Sequence, residues 1–217
     1  MSLVDSHAHL DARCFDGDRR EVLARAATAG VAWIINAGAD IASSFAGVAL
    51  AERYPCIYAA AGVHPHNATK LTEETLAALA KLAHHPKVVA IGEIGLDFYR
   101  DLSPRPQQRA AFRQQLDLAR RVCKPVIVHS RDAHTETMEI LTNWAAGSGH
   151  PGAVLHCFSG DLAVAEQAVA LGFFIGVAGP VTFQNARQLP ETVRCLPLDK
   201  LLVETDCPYL SPYPYRG

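Results

Sequence analysis

The stretch VAWIINAGA, at residues 31–39, decides the fold class of this 217-residue chain. It is apolar almost throughout, with no alternation of polar and apolar positions. Strands of a parallel sheet are covered on both faces and show this continuous pattern. Parallel neighbours need a crossover connection, which is usually a helix. Helical stretches lie on both sides of it, at residues 18–30, where Gly30 is placed to end the helix, and at residues 41–54.

The same pairing of an apolar strand with a helix recurs along the whole chain. The predicted strands are VDSHAHL (4–10) and residues 31–39, 57–65, 88–96, 125–130, 153–158, 173–179 and 201–206. The predicted helices are 18–30, 41–54, 72–85 with Thr72 as N-cap, one opening at Ser103 and Pro104, one capped by Asp132, one ending at Gly172, and one near 185–195. Eight strands alternating with seven helices predict an α/β fold, a (β/α)8 TIM barrel that forms a single domain over residues 1–217.

The last predicted strand is not followed by an eighth helix. Its carboxylates must face the interior, so alternation turns Leu201 and Val203 outward. Val4 and Ala8 of the first strand are expected beside them, also facing outward. An apolar seam without a covering helix favours self-association. We therefore expect a chain truncated after strand eight, or a seam covered by a partner subunit or by the tail SPYPYRG (211–217).

Composition limits the possible classes of function. The chain is 49% hydrophobic and 19% charged, which is ordinary for a globular protein. Its net charge of −2 excludes a protein that holds long duplexes by charge alone. The six cysteines show no C-x-x-C spacing, and neither a signal peptide nor a long apolar run is visible. These features predict a reduced, cytoplasmic protein without a membrane partner.

Polar residues interrupt the apolar strands near their C-terminal ends, where barrel enzymes have their active sites. They are His7, His9, His64, Glu93, His129, His156 and Asp206. A single strand histidine is more often a hydrogen-bonded core residue than a metal ligand, but a set at one end of a barrel needs a common partner. Four of these histidines and the two carboxylates are more than one tetrahedral ion needs. They predict two divalent cations bridged by a carboxylate, and Zn, Mn and Mg remain open.

Six motifs occur in order, each close to the end of a predicted strand. They are DSHAHLD (5–11), AGVHPH (61–66), VAIGEIGLDF (89–98), KPVIVHSRDAH (124–134), LHCFSG (155–160) and LLVETDCPYL (201–210). Together they resemble the TatD family of metal-dependent hydrolases, within the amidohydrolase superfamily, from residue 4 to the end of the sequence. The resemblance implies a deoxyribonuclease that shortens DNA, and sometimes RNA, from the 3′ end.

The resemblance also implies a role for each ligand. The first metal is expected to be held by His7, His9, Glu93 and Asp206. The second metal is expected to be held by Glu93, His129 and His156. Glu93 would be the bridge, and it is expected to be catalytic together with Asp206. Tyr215 stands where the family often has a histidine before the arginine, so no role of that histidine is carried over.

Further residues are candidates for proton transfer and substrate binding. The expected reaction is in-line attack of a metal-activated water on phosphorus, with Asp206 taking and passing on its proton. His64 would donate a proton or bind a phosphate. Arg131 would bind a phosphate through its planar fork, or pair instead with a loop carboxylate. Phe98 and Tyr99 would stack on an unpaired base, or anchor their loop.

Three hypotheses about function follow from the residues. The first is a two-metal phosphodiesterase acting on the ends of single-stranded DNA, and possibly RNA. The second is a two-metal hydrolase of another ester or amide, because the same ions polarise a carbonyl. The third is a non-catalytic metal-binding protein. Competition by a 3′ oligonucleotide separates the first two, and bound metal without hydrolysis of any ester would support the third.

Overall fold

The computed structural model describes residues 2–147 and 149–216 of the chain. In this part of the chain, eight strands alternate with seven α-helices. The strands are β1 (Leu3–Ala8), β2 (Val31–Ala37), β3 (Ile57–Ala61), β4 (Val88–Asp97), β5 (Val126–Arg131), β6 (Ala153–Leu155), β7 (Phe174–Val177) and β8 (Leu201–Val203). The helices are α1 (Arg19–Thr28), α2 (Ile41–Arg53), α3 (Glu73–Leu82), α4 (Arg105–Arg121), α5 (His134–Ala145), α6 (Leu162–Ala170) and α7 (Gln188–Cys195).

The strands form one parallel sheet in the order β1 to β8. Just beyond the end of β8, the backbone N–H of Asp206 donates to the carbonyl of His7 at 2.9 Å. The N–H of His9 donates back to the carbonyl of Cys207 at 2.8 Å. These bonds join the first and last strands at the carboxyl end of the sheet. The result is the predicted TIM barrel, nearly closed, with its helices outside.

Local hydrogen bonds explain where several helices begin. The carboxylate of Asp40 accepts the N–H of Ser43 at 2.9 Å, so α2 starts with a capping box. Thr72 caps α3 as predicted, because its hydroxyl accepts the N–H three residues further on. The prediction for Asp132 was wrong. This residue has a φ of 53°, which turns the chain before the helix starts, and Ala133 is the N-cap of α5.

The last three strands are shorter than their apolar runs suggested. β6 ends at Leu155, β7 at Val177 and β8 at Val203, so each predicted strand continues into a loop at the carboxyl end. The backbone turns there, with a φ of 42° at Cys157 and 56° at Asp206. The loop geometry, rather than strand alternation, therefore aims the last side chains of these segments into the barrel mouth.

The outer face beside β8 is left open. Among residues 2–147 and 149–216, no helix follows β8, and Val203 is 57% exposed. Val4 on β1 and Trp33 on β2 are also exposed, at 43% and 44%, but they pair with each other on the strand face of Ile35, which packs inside the barrel, so the prediction that Val4 belongs to this outer seam was wrong. The tail does not cover the seam, because the N–H of Tyr213 bonds to Thr182 in the loop after β7. Ala8 lies on the outer side of the sheet, where it pairs with Asn36, but it is fully buried in the core that the helices share, so the prediction that it lies in the bare seam was wrong.

None of the described helices combines the length and the apolar character needed to cross a lipid bilayer.

Candidate metal centre and active-site cleft

The predicted ligands converge on the carboxylate of Glu93, near the end of β4. Its Oε2 lies 3.5 Å from Nε2 of His7 and 3.7 Å from Nε2 of His9. Its Oε1 lies 2.9 Å from Nδ1 of His129 and 3.3 Å from Nε2 of His156. The two oxygens of one buried carboxylate thus face two separate pairs of histidines.

Asp206 joins the first of these pairs. Its Oδ1 lies 3.4 Å from Nε2 of His9 and 3.7 Å from Nε2 of His7. The positive φ of Asp206 is a conformation that aspartate tolerates better than most residues. This turn after β8 brings the carboxylate to the cluster.

A close approach of two strands positions the second pair. Gly95 of β4 has a φ of +137°, and a Cβ there would lie 2.0 Å from the carbonyl oxygen of His129 on β5. Only glycine allows this contact. The backbones of β4 and β5 therefore pack closely enough to put Glu93 and His129 in direct contact.

The hydrogen bonds of His9 reveal what the first pair can bind. Its Nδ1 lies 3.0 Å from the carbonyl oxygen of Ala37, which can only accept a hydrogen bond. Nδ1 therefore carries the proton, and Nε2 of the neutral ring carries a free lone pair. That lone pair lies 3.1 Å from Nε2 of His7 and close to the oxygens of Glu93 and Asp206. The other nitrogen of His7, Nδ1, is buried without a hydrogen-bond partner in the described chain. Four acceptor atoms thus share at most one proton, and a divalent cation fits this donor set.

Two further carboxylates contact the second pair, His129 and His156, on the side of each ring that faces away from Glu93. Nε2 of His129 lies 3.0 Å from Oδ2 of Asp97, and Nδ1 of His156 lies 3.1 Å from Oε1 of Glu204. Each ring therefore donates its outer N–H to a carboxylate and turns its inner nitrogen towards Glu93. This carboxylate–histidine arrangement is typical of metal ligands. Two of the groups that can hold a metal ion are His7 with His9 and Glu93, and His64 with Glu93 and His129.

The charges of the cluster support one another. Burial opposes ionisation of Glu93, but the imidazoles of His64 and His156 hold its pKa well below the usual value. Burial likewise opposes protonation of His156, but the charges of Glu204 and Glu93 raise its pKa well above the usual value. A cation that binds here must displace protons from histidine, so its affinity falls as the pH falls.

His64 lies at the edge of the same cluster. Its Nε2 is 3.4 Å from Oε1 of Glu93, and its Nδ1 accepts the N–H of His66 at 3.1 Å. Burial lowers the pKa of His64 to about 4, so the ring is neutral at pH 7 and carries its proton on Nε2. It faces the central carboxylate as a neutral donor.

An open cleft of about 920 Å³ lies above the cluster. Arg131 lies on its wall, with its guanidinium carbon 4.0 Å from the ring centre of Tyr99. No carboxylate lies within 4.0 Å of Arg131 in the part of the chain that the structure describes, so the alternative of a salt bridge is not observed. Phe98 anchors its loop, with Arg105 4.3 Å above its ring, whereas Tyr99 is 58% exposed.

Sequence reasoning missed three residues beside the ligands. Asp97 and Glu204 were not singled out, and His66 was set aside as a loop residue, yet its Nε2 lies 2.9 Å from Asp97. Strand periodicity contained a signal for two of them. Asp97 is four residues after Glu93 on β4, and Glu204 is two residues before Asp206, so each shares a face with a predicted ligand.

Asp5 behaves differently from the two histidines that follow it. The i, i+2 spacing placed it on the same face as His7 and His9. In the structure its carboxylate instead accepts the N–H of Thr205 at 3.0 Å and the hydroxyl of Thr205 at 2.7 Å. Asp5 therefore ties β1 to the segment after β8 and lies outside the ligand cluster.

This chain is similar to known metal-dependent hydrolases and nucleases. The family model described as TatD related DNase matches residues 4–217. The metal-dependent hydrolase YabD of Bacillus subtilis is 44% identical, over 99% of this chain and 84% of its own length. The 3′-5′ ssDNA/RNA exonuclease TatD of Cronobacter turicensis is 41% identical, over 97% of this chain and 80% of its own length.

A solved structure shows the same architecture. The crystal structure of YjjV, a TatD homologue from Escherichia coli, has a TM-score of 0.90 and 38% identity, and the match covers 99% of this chain and 83% of that one. Family model, sequence relatives and fold agree over nearly the whole chain. The chain therefore belongs to the TatD-related DNase family, whose members are metal-dependent hydrolases acting on ester bonds.

Proposed function

We propose that this hydrolase is a two-metal 3′–5′ exonuclease acting on the ends of single-stranded DNA, and also on RNA. The observation that carries the proposal is Glu93, whose two oxygens face two separate histidine pairs. A carboxylate placed this way can bridge two divalent ions, as in two-metal phosphodiesterases. The nucleic acid substrate is supported by the name of the relative from Cronobacter turicensis, a 3′-5′ ssDNA/RNA exonuclease.

The donor atoms divide into two ligand sets. We assign His7, His9, Glu93 and Asp206 to one set, and Glu93, His129 and His156 to the other, which the distances from Glu93 and Asp206 support. Imidazole nitrogens and carboxylate oxygens accept Zn²⁺, Mn²⁺ or Mg²⁺ according to their availability. Bound ions supply an activated water and neutralise charge on the phosphoryl oxygens.

The protein's own residues handle the proton and the phosphate. Burial opposes ionisation of Asp206, but the neighbouring imidazoles lower its pKa, so Asp206 is ionised at neutral pH and can accept a proton from the attacking water. His64 keeps a proton on Nε2 beside Glu93 and can donate it. Arg131 presents a planar guanidinium to the cleft and can hold a phosphate oxygen.

The same observations weigh against the two other hypotheses. An arginine without a carboxylate partner beside the ligand cluster suits an anionic phosphodiester better than a neutral ester or amide. A purely metal-binding role needs the ionised Asp206 as a ligand but does not require the proton held on His64. A phosphodiesterase uses that proton as well.

Elemental analysis combined with a nuclease assay tests the proposal. We expect two divalent ions per chain, and stepwise shortening of a 5′-labelled single-stranded oligonucleotide that is faster than cleavage of a duplex. A strong chelator should abolish the activity, and a divalent ion should restore it. Undiminished turnover by protein shown to be metal-free would contradict the mechanism. Failure of a 3′ oligonucleotide to compete with an ester substrate would favour the second hypothesis.

A further inference from the structure

Two arginine–aromatic pairs lie on the rim of the cleft. The guanidinium carbon of Arg131 is 4.0 Å from the ring centre of Tyr99, and that of Arg216 is 4.2 Å from the ring centre of Phe183. Building on the proposed exonuclease function, we infer that these pairs are two nucleotide subsites that hold a single strand on the two sides of the metal cluster. Each pair offers a cation for a phosphate and an aromatic face for a base.

The pairs belong to separate parts of the barrel mouth. Tyr99 follows β4 and Arg131 ends β5, whereas Phe183 follows β7 and Arg216 lies in the tail after β8. In a barrel with strands in sequential order, these two groups of loops face each other across the cleft. Arg131, Phe183 and Arg216 all line the cleft that contains the ligand cluster. A strand that passes over the cluster therefore meets both pairs.

The two arginines are available to a ligand. No carboxylate lies within 4.0 Å of Arg131 or Arg216 among residues 2–147 and 149–216. Five other arginines of this part of the chain do have such a partner, and they are Arg19, Arg25, Arg105, Arg109 and Arg194. At both of these positions on the cleft rim, a guanidinium faces an aromatic ring instead of an acid.

The tail is fixed in the position that this role requires. The N–H of Tyr213 donates to the hydroxyl of Thr182 at 2.8 Å, which holds the tail against the loop that carries Phe183. Tyr209 lies in sequence between the candidate ligand Asp206 and Arg216. It is 59% exposed, and its ring centre is 5.8 Å from that of His9. It offers an additional aromatic face between the cluster and the Arg216 pair.

Equilibrium binding of a ten-nucleotide 5′-fluorescein-labelled oligo(dT), measured by fluorescence anisotropy in the presence of a chelator, tests the subsites without turnover. We expect Arg131→Gln and Arg216→Gln each to raise Kd by about 5- to 100-fold. Each should also reduce the slope of log K against log salt by about 0.7, the value for one lost phosphate contact to a single strand. Phe183→Leu should raise Kd and leave the slope unchanged, because it removes stacking and no charge.

Two further variants serve as controls. Arg216→Lys keeps the charge and loses the planar fork, so it should restore the salt slope but not the full affinity. Arg121→Gln removes the same charge from an exposed position at the end of α4, which lies at the opposite end of the barrel. This variant should bind the oligonucleotide with the Kd of the wild type.

The outcomes separate this inference from the proposed function. Wild-type protein that binds the oligonucleotide through both arginines but does not cleave it with Mn²⁺ would support the subsites and overturn the exonuclease. Wild-type protein that cleaves it while both glutamine variants keep the wild-type Kd and salt slope would overturn the subsites and leave the exonuclease standing. Wild-type protein that does not bind it at all would also overturn the subsites.

Discussion

At the scale of single residues, Glu93 is the centre of the candidate site. Its side chain is nearly inaccessible to solvent, yet imidazoles approach it from several sides. An unpaired buried carboxylate would be costly, and the burial of Glu93 is tolerated because His129 and His156, whose pKa values are raised, lie against it. A buried residue is thus the one that both predicted ions would share.

We predict that Glu93→Gln loses activity by at least about 100-fold while the barrel still folds. Glutamine has nearly the same shape, but its amide cannot bridge two cations with a full negative charge. His156→Ala should act similarly through the second ion. Activity, bound metal by elemental analysis and circular dichroism check this, with the exposed Glu139→Gln as control. A folded Glu93→Gln protein with wild-type rates would show that the ligand assignment is wrong.

We also predict that Glu204→Gln weakens metal binding by about 10- to 100-fold without removing any ligand. Glu204 accepts the outer N–H of His156 and so keeps the proton of the ring on Nδ1. Glutamine can offer its NH2 group to Nδ1 instead, and the proton would then move to Nε2, the nitrogen that faces Glu93. Competition with a chromogenic chelator measures the affinity directly. Glu52→Gln is the matched control, because Glu52 also contacts a histidine, His85, at 3.2 Å, on the protein surface. Equal metal affinity in both variants would contradict the positioning role.

At the scale of elements, helix caps and strand ends place the site. The capping box at Asp40 starts α2 directly after the turn that follows β2. The backbone of this turn also contacts the site, since the N–H of Glu93 donates to the carbonyl of Gly38 at 2.8 Å and the N–H of His64 donates to that of Ala39 at 3.0 Å. The start of α2 is therefore connected to two residues of the cluster.

We predict that Asp40→Ala lowers the free energy of unfolding by about 1 kcal/mol at pH 7. Burial alone would raise the pKa of Asp40, but the bonds from Ser43 lower it below the ordinary 3.8. Because the folded pKa is the lower one, the ionised carboxylate stabilises the fold above pH 3.8, and this contribution is lost as the pH falls through the folded pKa. Urea unfolding at several pH values should show the difference between wild type and variant shrinking below pH 3.8.

Two comparisons control that measurement. Asp40→Asn keeps a good cap without charge and should retain most of the stability at pH 7. Asp117→Ala removes an exposed carboxylate from the middle of α4 and should change the stability by less than about 0.5 kcal/mol. A difference between wild type and Asp40→Ala that stays constant down to low pH would contradict the assigned role of the charge.

At the scale of the whole molecule, the barrel is closed at its mouth and bare along one side. Hydrogen bonds at the carboxyl end join β1 to the segment after β8. Lower down, Val203 leaves an exposed apolar position on the outer face beside β8, which is the seam. The site and the seam are separate features, because every predicted ligand lies at the mouth.

We predict that the chain associates with a second copy through this seam, and that Val203→Ser reduces the association while the metal affinity is preserved. Exposed apolar surface contributes about 25 cal/mol per Å² when it is buried, and serine removes most of that gain. Light scattering over a range of concentrations measures the effect. Phe45→Ser, at a 53% exposed position on α2 outside the seam, is the control. A wild-type chain that remains monomeric at all concentrations would rule the idea out.

The sequence by itself determined the architecture and the candidate ligands. Continuous apolar runs alternating with helical stripes are local patterns, and they predicted the barrel because a buried parallel strand requires them. The histidines and carboxylates interrupt those runs, so His7, His9, Glu93 and Asp206 could be identified without any knowledge of contacts. Periodicity also turned Val203 outward, as the structure has it.

The tertiary structure alone decided what each of these residues touches. His156 and Glu204 are 48 residues apart, and Arg131 stacks on Tyr99 where a salt bridge was an equal alternative, because loops bring these groups together. The register shifts in β1, which set the faces that Val4 and Ala8 take, depend on how that strand pairs with β2. Alternation and hydrophobicity act between residues close in sequence, whereas register, loop turns and partner choice depend on the closed barrel.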